Sequence, residues 1–169
     1  LNHPVDCSIC DQAGECKLQE YSLQHGQAAS RFVETKRIFQ KDYFSPLIET
    51  QMNRCVQCLR CVRYCDEVMD VKALAPVGRG TMTEIKHFGA HPLDCEFCGQ
   101  CVSTCPVGAL TDKLGRFKGR TWETTTVEST CGFCGVGCTI EYRVKHGRVK
   151  IKYICGGMNH YTHVHRCRK

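Results

Sequence analysis

The chain of 169 residues lacks a long apolar segment. No run of residues approaches the roughly 18 that a membrane-spanning helix requires, so we expect no insertion into a membrane. Glycine-rich nucleotide signatures are missing too, because no G-x-G-x-x-G opens a strand-to-helix unit and no Walker-type loop is present. We therefore expect this chain not to bind NAD, flavin or nucleotide phosphates itself.

The sequence also lacks an initiator methionine. It begins at Leu1 and stops at Arg168-Lys169, so we expect it to be a piece of a longer protein. Any targeting signal that lies upstream would then be outside the sequence.

What the sequence has in excess is cysteine, with 16 residues in the chain. Such a share is typical of a disulfide scaffold or of a metal-rich protein. Thiols that are closely spaced on one loop converge easily on a metal centre but pair poorly as cystines across a fold, so the spacing favours metal. Free thiols in this number indicate a reducing compartment, and the cytoplasm is the default prediction.

Fifteen of the cysteines and one histidine sort into four sets of four ligands, the number that four [4Fe–4S] clusters require. The first set reads H-x3-C-x2-C-x5-C, two sets read C-x2-C-x2-C-x3-C, and the fourth reads C-x2-C-x3-C plus a distant partner. Their members are His3, Cys7, Cys10 and Cys16; Cys55, Cys58, Cys61 and Cys65; Cys95, Cys98, Cys101 and Cys105; and Cys131, Cys134 and Cys138 with either Cys167 or Cys155.

The two identical runs predict crossed ligation. In the two-cluster bacterial ferredoxin run, the fourth cysteine of each run ligates the cluster of the other run. One predicted cluster is thus held by Cys55, Cys58, Cys61 and Cys105, and the other by Cys95, Cys98, Cys101 and Cys65. The second run continues into C-P-V-G-A-L, which resembles the ferredoxin signature, whereas Asp66 follows the first run. A zinc module is the alternative, although structural zinc usually takes its ligands in two pairs.

The formal net charge of +6 would suggest a polyanionic partner, but it counts every cysteine as neutral. An oxidised cluster with four thiolates carries a charge of about −2, and one with three thiolates and a histidine carries about −1. The net charge of the chain with its four clusters is therefore about −1. We therefore interpret five basic residues as local charge compensation rather than as a nucleic-acid surface, with an ordinary solvated face as the alternative. They are Arg54, Arg60, Arg63, Lys72 and Arg79.

Three modules follow one another along the chain. Residues 1–45 carry the histidine-containing set, residues 46–115 hold the duplicated runs, and residues 128–169 begin a small β-rich unit after a connector. The predicted helices are Gly14–Gln24, Leu59–Val71 and Gly99–Thr104, and Gly80–Phe88 is predicted to be extended. Thr139–Val144 and Arg148–Ile154 alternate on either side of a turn, which predicts a β-hairpin. With little apolar mass for a core, the fold class is an irregular α+β fold that clusters stabilise.

The segment H-P-V-D-C-S-I-C-D-Q-A-G-E-C resembles the histidine-ligated cluster module shared by three families. These are the large iron–sulfur subunit of complex I, the NADH-linked [FeFe] hydrogenases and the NAD-dependent formate dehydrogenases. The resemblance implies that His3 is a cluster ligand. In complex I the second region normally keeps only the cluster that corresponds to the Cys55 set, so the additional Cys95 set favours the hydrogenase and formate dehydrogenase branch.

The segment S-T-C-G-F-C-G-V-G-C-T-I-E-Y resembles the opening cluster domain of molybdopterin oxidoreductases such as formate dehydrogenase. In that family the last ligand stands in a C-x-K-G context at the distance of Cys167, whereas Cys155 falls too early. The resemblance implies a [2Fe–2S] domain upstream of Leu1 and a molybdenum or tungsten pterin domain downstream of Lys169. Neither lies within this sequence.

The sequence therefore predicts a relay segment of a formate dehydrogenase alpha-type subunit, which carries electrons between a catalytic centre and an NAD(P)-reactive flavin subunit. The alternatives are a pterin-free relay subunit of an NADH-linked or electron-bifurcating hydrogenase or transhydrogenase, a complex I-like large iron–sulfur subunit, and a zinc-binding interaction module. We expect no substrate-converting centre in the chain. Flavin- and NAD-binding iron–sulfur subunits are the expected partners, ferredoxin is a further candidate, and nucleic acid is not expected. The expected location is bacterial or archaeal cytoplasm, including the periphery of a membrane complex.

Overall fold

The computed structural model describes residues 3–27, 29–89, 92–130, 135, 137 and 139–150. Within them lie three α-helices and seven strands. The helices are α1 Lys17–His25, α2 Arg60–Arg63 and α3 Gln100–Ser103. The strands are β1 Ile48–Thr50, β2 Leu74–Val77, β3 Glu84–His87, β4 Leu110–Asp112, β5 Thr125–Thr130, β6 Thr139–Lys145 and β7 Arg148–Lys150.

The duplicated region is built as two copies of one unit, each consisting of a strand, a cysteine loop, a short helix and a second strand. The first copy runs from β1 through α2 to β2, and the second from β3 through α3 to β4. The strands pair across the copies, because β1 pairs antiparallel with β4 and β2 pairs antiparallel with β3. The last strand of the second copy thus lies beside the first strand of the first copy.

The core of this region is small and lies between the two sheets and the cysteine loops. Ile48, Leu74, Ile85, Leu93 and Leu110 are all at most 5% exposed. Partly buried cysteines from both runs pack against this core, among them Cys55, Cys65, Cys95, Cys101 and Cys105. The sulfur atoms are therefore part of the interior rather than an addition to the surface.

The N-terminal region reaches the ferredoxin-like region through polar side chains. Arg54 is 4% exposed, and its Nη2 donates to Asp6 Oδ2 at 2.6 Å. Further along the chain, Phe39 and Asn53 exchange two hydrogen bonds, with Phe39 N donating to Asn53 Oδ1 at 2.7 Å and Asn53 Nδ2 donating to the Phe39 carbonyl at 3.3 Å. The Asp6–Arg54 contact fixes the N-terminal loop, and the Phe39–Asn53 bonds fix the irregular segment between α1 and β1.

The connector after β4 folds back on the first cysteine loop. The guanidinium of Arg120 donates to the carbonyl oxygens of Ser8 and Cys10, and Phe117 N donates to Asp11 Oδ1 at 2.9 Å. Strands β5, β6 and β7 then form an antiparallel three-stranded sheet in that order. His146 and Gly147 join β6 to β7 with φ of 50° and 70°, as a tight hairpin turn requires.

The hairpin prediction is confirmed over the described residues, and the helix at Gln100–Ser103 matches the predicted helix to within a residue at each end. The helix at Lys17–His25 begins three residues after the predicted start, because Gly14 has a non-helical φ of 89°, and ends one residue after the predicted end. The predicted helix from Leu59 is wrong at its start, because Leu59 adopts φ of 58° and α2 begins one residue later. It continues as a π-helical turn over Tyr64–Val68.

Two extended or connecting segments also differ from prediction. Gly80–Met82 forms a 3-10 turn before β3, because the chain must reverse there to form the hairpin of β2 and β3. Strand β5 begins at Thr125, inside the predicted connector, since it pairs with β6 from Thr125 onward. Among the helices described, none is long and apolar enough to cross a membrane.

Candidate iron–sulfur cluster sites

The strand pairing explains how the two cysteine runs come together. Cys105 lies just before β4, and β4 pairs with β1, which precedes the Cys55 loop. Cys65 lies before β2, and β2 pairs with β3, which precedes the Cys95 loop. Each fourth cysteine is therefore delivered to the loop of the other copy, as the crossed prediction requires.

The first cavity is lined by the sulfur-bearing residues of one crossed set. Its walls include Cys55, Cys58, Cys61 and Cys105, and its volume is ≈ 340 Å³ with the part open to solvent included. The remaining walls are mainly apolar, and they include Met52, Ile85, Val107 and Leu110. The cavity thus places four thiols against mainly apolar walls, and these walls exclude water on one side.

The second cavity is lined by the other crossed set. Its walls include Cys65, Cys95, Cys98 and Cys101, and its volume is ≈ 410 Å³ on the same measure. Apolar side chains again form much of the wall, among them Ile48, Met69, Leu74 and Leu93. The structure therefore places each of the two predicted ligand sets around a cavity of its own.

The two cysteine loops share the same unusual backbone. Gln57 and Leu59 have φ of 56° and 58°, and their counterparts forty positions later, Phe97 and Gly99, have φ of 50° and 73°. Left-handed conformations are uncommon for residues other than glycine and concentrate at functional sites. Here they turn backbone N–H groups toward sulfur, since Gln57 N lies 3.4 Å from Cys55 Sγ and Phe97 N lies 3.3 Å from Cys95 Sγ.

Burial changes the acid–base behaviour of these thiols. Burial, followed by the neighbouring thiols of Cys105 and Cys55, raises the pKa of Cys61 to about 12. Burial and then the thiols of Cys98 and Cys61 raise the pKa of Cys101 as well. Crowded thiols of this kind stay protonated until a cation compensates them, and metal ligation supplies that compensation while it releases the protons.

The three cysteines of the first set also lie together. Cys10 and Cys16 are buried, and Cys7 begins a 3-10 turn that directly follows Asp6. Burial, then the charges of Cys10 and Cys16, raise the pKa of Cys7. These three thiols are thus electrostatic neighbours, as the spacing predicts.

His3 lies beside Asp6 and Arg54. Burial lowers the pKa of His3, and the charge of Asp6 only partly opposes this change. Among the described residues its Nδ1 is buried without a hydrogen-bond partner. A neutral imidazole with a buried, unused nitrogen has the chemistry of a metal ligand.

A close packing contact joins the first set to the Cys55 set. Cys16 packs with Val107 and Ala109, and the partly buried Cys55 and Cys105 pack against the same group. Gly108 faces the sulfur of Cys10 so closely that a Cβ there would overlap it. Residues 107–109 thus lie between the two groups of thiols at this point.

Three of the five basic residues that the sequence suggests as compensating charges pair with carboxylates. Arg54 pairs with Asp6, Arg63 Nε lies 2.8 Å from Glu67 Oε1, and Lys72 Nζ lies 3.6 Å from Asp70 Oδ1. Each of the three therefore has a carboxylate neighbour, and their interpretation as local charge compensation stays a prediction. Arg60 and Arg79 are exposed.

The sequence interpretation missed Arg37 and Arg120, which do contact the cysteine loops. Arg37 Nη2 donates to the carbonyl of Cys55 at 2.7 Å, and Arg120 donates to the carbonyl of Cys10. Neither residue lies near a cysteine in sequence, so no local pattern could have identified it.

The described donor set fits an extended group better than a single ion. All eleven described cysteines are free thiols. Among the described residues, no group of three or more His, Cys, Asp or Glu side chains is arranged to hold a metal ion. A zinc site draws its ligands to within about 2.3 Å of one point, whereas these thiols stand around cavities. The fourth predicted set, Cys131, Cys134, Cys138 and Cys167, and its alternative Cys155, lie outside the described residues.

Two family models match the chain. Residues 45–111 match the ferredoxin-like domain of NADH-quinone oxidoreductase subunit 3, and residues 1–31 match the iron–sulfur binding region of NADH-ubiquinone oxidoreductase-G. The two matched regions include both the histidine-containing set and the duplicated runs, so the chain is similar to the G-type iron–sulfur region of NADH-quinone oxidoreductase.

Curated relatives of the chain are named as subunits of NAD(P)-linked enzymes. The chain is 43% identical, over 89% of its length, to the alpha subunit of an NADPH-Fe(3+) oxidoreductase of Geobacter sulfurreducens strain PCA, and covers 18% of that protein. It is 43% identical over 86% of the chain to a G-type subunit of the NADH-quinone oxidoreductase of Rhizobium meliloti, and covers 17% of it. The chain thus spans about a fifth of the length of these curated relatives.

A solved structure shows a similar fold. The chain resembles a chain of an NAD+-reducing [NiFe]-hydrogenase in its H2-reduced state, with a TM-score of 0.61 and 29% identity. The match covers 70% of this chain and 52% of the hydrogenase chain. None of these three relatives is named as a formate dehydrogenase. The assignment to a formate dehydrogenase alpha-type subunit therefore stays a prediction from the sequence.

Proposed function

We propose that the chain is a multi-cluster electron relay within a larger NAD(P)-linked oxidoreductase. The observation that carries this proposal is the pair of cavities, each of which is lined by one crossed set of four cysteines. Three [4Fe–4S] clusters would be held by His3, Cys7, Cys10 and Cys16; by Cys55, Cys58, Cys61 and Cys105; and by Cys65, Cys95, Cys98 and Cys101. A fourth would use Cys131, Cys134 and Cys138, with Cys167 as the preferred last ligand.

When bound, each cluster accepts and passes on one electron at a time. The chain's own residues place and tune the sites. The backbone N–H groups of Gln57, Ala73 and Phe97 lie 3.3–3.4 Å from the sulfurs of Cys55, Cys65 and Cys95, where they stabilise negative charge on sulfur. Apolar side chains such as Ile85 and Leu93 exclude water from the inner walls of the sites.

The packing supports a continuous path through the chain. The thiol of Cys61 is an electrostatic neighbour of Cys101, which belongs to the other crossed set. Cys16 of the histidine-containing set packs with Val107 and Ala109, against which Cys55 and Cys105 also pack. The Cys55 set therefore has the histidine set and the Cys95 set as neighbours, an arrangement suited to sequential hopping.

For the whole protein we propose a role between a two-electron catalytic centre and an NAD(P)-reactive flavin subunit. The names of the relatives, NADPH-Fe(3+) oxidoreductase, NADH-quinone oxidoreductase and NAD+-reducing hydrogenase, support a nicotinamide-linked complex with partner subunits. Ferredoxin is a further candidate partner. The free described thiols support a reducing compartment, and we propose bacterial or archaeal cytoplasm.

A second candidate is a formate dehydrogenase alpha-type subunit. The segment from Ser129 to Tyr142, with its C-x2-C-x3-C pattern, favours it, because this pattern resembles the opening domain of molybdopterin oxidoreductases. Molybdenum, tungsten and pterin analysis of the complete protein distinguishes the two. A pterin with its metal supports the formate dehydrogenase branch, and a complete protein without pterin favours the quinone or iron oxidoreductase branch.

The experiment that tests the relay is metal analysis of anaerobically purified protein. We expect about 16 irons per chain with an equal amount of acid-labile sulfide, the content of four [4Fe–4S] clusters. Reduction should then produce EPR signals of reduced [4Fe–4S] clusters. Stoichiometric zinc without sulfide would overturn the relay and support the zinc-binding alternative.

A further inference from the structure

Arg37 lies against the loop that carries Cys55. Its Nη2 donates to the Cys55 carbonyl at 2.7 Å, and its Nη1 donates to the Thr81 carbonyl at 3.1 Å. Gln57 makes a parallel contact, since its Nε2 donates to the Thr83 carbonyl at 2.9 Å. The two side chains together fasten the β2–β3 turn over the Cys55 loop.

The position of Arg37 is fixed by its neighbours rather than by a helix or strand. Two residues further on, Phe39 is buried and exchanges its two backbone hydrogen bonds with Asn53. The Arg37 guanidinium lies over the Phe39 ring, with its carbon 5.3 Å from the ring centroid. The two hydrogen bonds to carbonyls and the contact with the Phe39 ring hold the guanidinium of Arg37, and therefore its charge, at one place.

The charge of Arg37 has no carboxylate partner among the described residues. Two other arginines that are at least partly buried do have one, since Arg54 pairs with Asp6 and Arg116 pairs with Glu49. The Arg37 Nε is buried without a hydrogen-bond partner in the described part of the chain. A half-buried cation is costly unless a negative charge lies near it.

The Cys55 loop can supply that negative charge. Four thiolates around an oxidised cluster leave about −2 at the site, and reduction adds a further negative charge. A fixed cation beside the site stabilises the reduced form more than the oxidised form, so it raises the reduction potential.

The Cys95 set has the opposite surroundings. Glu96 lines its cavity, and Asp94 and Glu96 flank the ligand Cys95 directly in the chain, so two carboxylates stand beside this set. Both carboxylates are exposed, so water screens them in part. Their sign nevertheless opposes the addition of an electron at that site.

We propose that Arg37 is the counter-charge of the site formed by Cys55, Cys58, Cys61 and Cys105, and that it makes this the higher-potential site of the ferredoxin-like pair. The inference rests on the proposed relay function. An electron shared between the two sites would then reside mainly on the Cys55 set, which is also the set that packs toward Cys16. Arg37 is a positioning residue, because it acts on the site through its charge and its bond to the Cys55 carbonyl.

The test is an EPR-monitored redox titration of the purified protein and its variants, with the two signals assigned through Cys58→Ser and Cys98→Ser. Arg37→Gln should shift the midpoint of the Cys55-set signal to lower potential and leave the Cys95-set signal in place. Arg37→Lys keeps the charge and should restore most of the shift. Arg31→Gln removes an exposed arginine from the same segment and serves as the matched control, with neither midpoint moved.

The outcomes separate this inference from the relay itself. Arg37→Met provides a second neutral variant, which keeps an apolar stem against Phe39. Loss of the Cys55-set cluster in both neutral variants, with retention in Arg37→Lys, also supports a required counter-charge. Unchanged midpoints in a neutral variant, or loss of the cluster in Arg37→Lys as well, would overturn the inference. Absence of cluster signals from the unmodified protein would instead refute the proposed function.

Discussion

Gly108 packs directly against the sulfur of Cys10, and a Cβ at position 108 would overlap that sulfur. Gly108 follows Cys105 by three residues, whereas Cys10 belongs to the histidine-containing set. The contact therefore brings the loop of one proposed site against a ligand of another. Absence of a side chain at this position is what permits the close approach.

The first prediction concerns this contact. Gly108→Ala should displace Cys10 and reduce iron content by about 4 per chain, the content of one cluster. Iron analysis and EPR of anaerobically purified protein measure the loss. Gly80→Ala is the control, because Gly80 has φ of 59° and open space around it, so the substitution adds backbone strain without a sulfur contact. Full iron content in Gly108→Ala would contradict this prediction, because it would show that the loop can move enough to accommodate the added methyl group.

The second prediction concerns the ion pair between Asp6 and Arg54. The Arg54 side chain is 5% exposed and that of Asp6 23%, so Asp6→Asn leaves a largely buried cation without its counter-charge. Removal of one partner from a buried pair costs about 3–5 kcal/mol, and the partial exposure of Asp6 reduces our expectation to about 2 kcal/mol. The measurement is the denaturant midpoint of anaerobic unfolding.

The matched control for that pair is Glu67→Gln. Glu67 pairs with Arg63 at 2.8 Å, but both side chains are more than half exposed, and such surface pairs contribute little to stability. The midpoint should thus move much less than in Asp6→Asn. Equal shifts in the two variants would contradict the view that Asp6–Arg54 anchors the N-terminal module.

The third prediction concerns pH. Glu49 is buried beside Arg116, with Arg116 Nη1 2.8 Å from Glu49 Oε1, and it also pairs with Lys41. Burial alone would raise the pKa of Glu49, but the two cations outweigh it and hold the pKa below its ordinary value. A carboxylate of lowered pKa stabilises the fold above its unfolded pKa of about 4.3, and this contribution disappears as the pH falls through the folded pKa.

Glu49→Gln should therefore reduce the free energy of unfolding by about 1 kcal/mol at neutral pH. The gap between the thermal midpoints of the variant and the unmodified protein should stay constant between about pH 5 and 8, because this range lies above the titration of Glu49. Thermal midpoints across this range test it. Glu34→Gln, at an exposed position, should show no gap. A gap that narrows within the range would mean that Glu49 titrates near neutrality and is not held by its cations.

The spacing of cysteines carries much of the site information, for a physical reason. Three thiols on one tight loop are brought together by local geometry, so Cys55, Cys58 and Cys61 can be grouped from sequence alone. Their crossed partner, Cys105, follows from the repeated pattern, and the pairing of β1 with β4 gives it a structural basis.

The charges around the sites could not be found in this way. Arg54, Arg63 and Lys72 are near the first run in sequence, but each reaches a carboxylate first. Arg37 comes from a segment without helix or strand and reaches the Cys55 carbonyl across 18 positions. Such contacts depend on tertiary packing, which no period or short motif in the sequence encodes.

Crossed ligation is most directly tested by the number of clusters lost in paired cysteine variants. Cys105→Ala with Cys58→Ala should lose one cluster, because both residues would serve the same site, whereas Cys105→Ala with Cys98→Ala should lose two. The measurement is iron content together with the integrated EPR spin count of the reduced protein. Loss of two clusters in the first variant and one in the second would contradict the account, because it would place Cys105 with its own run.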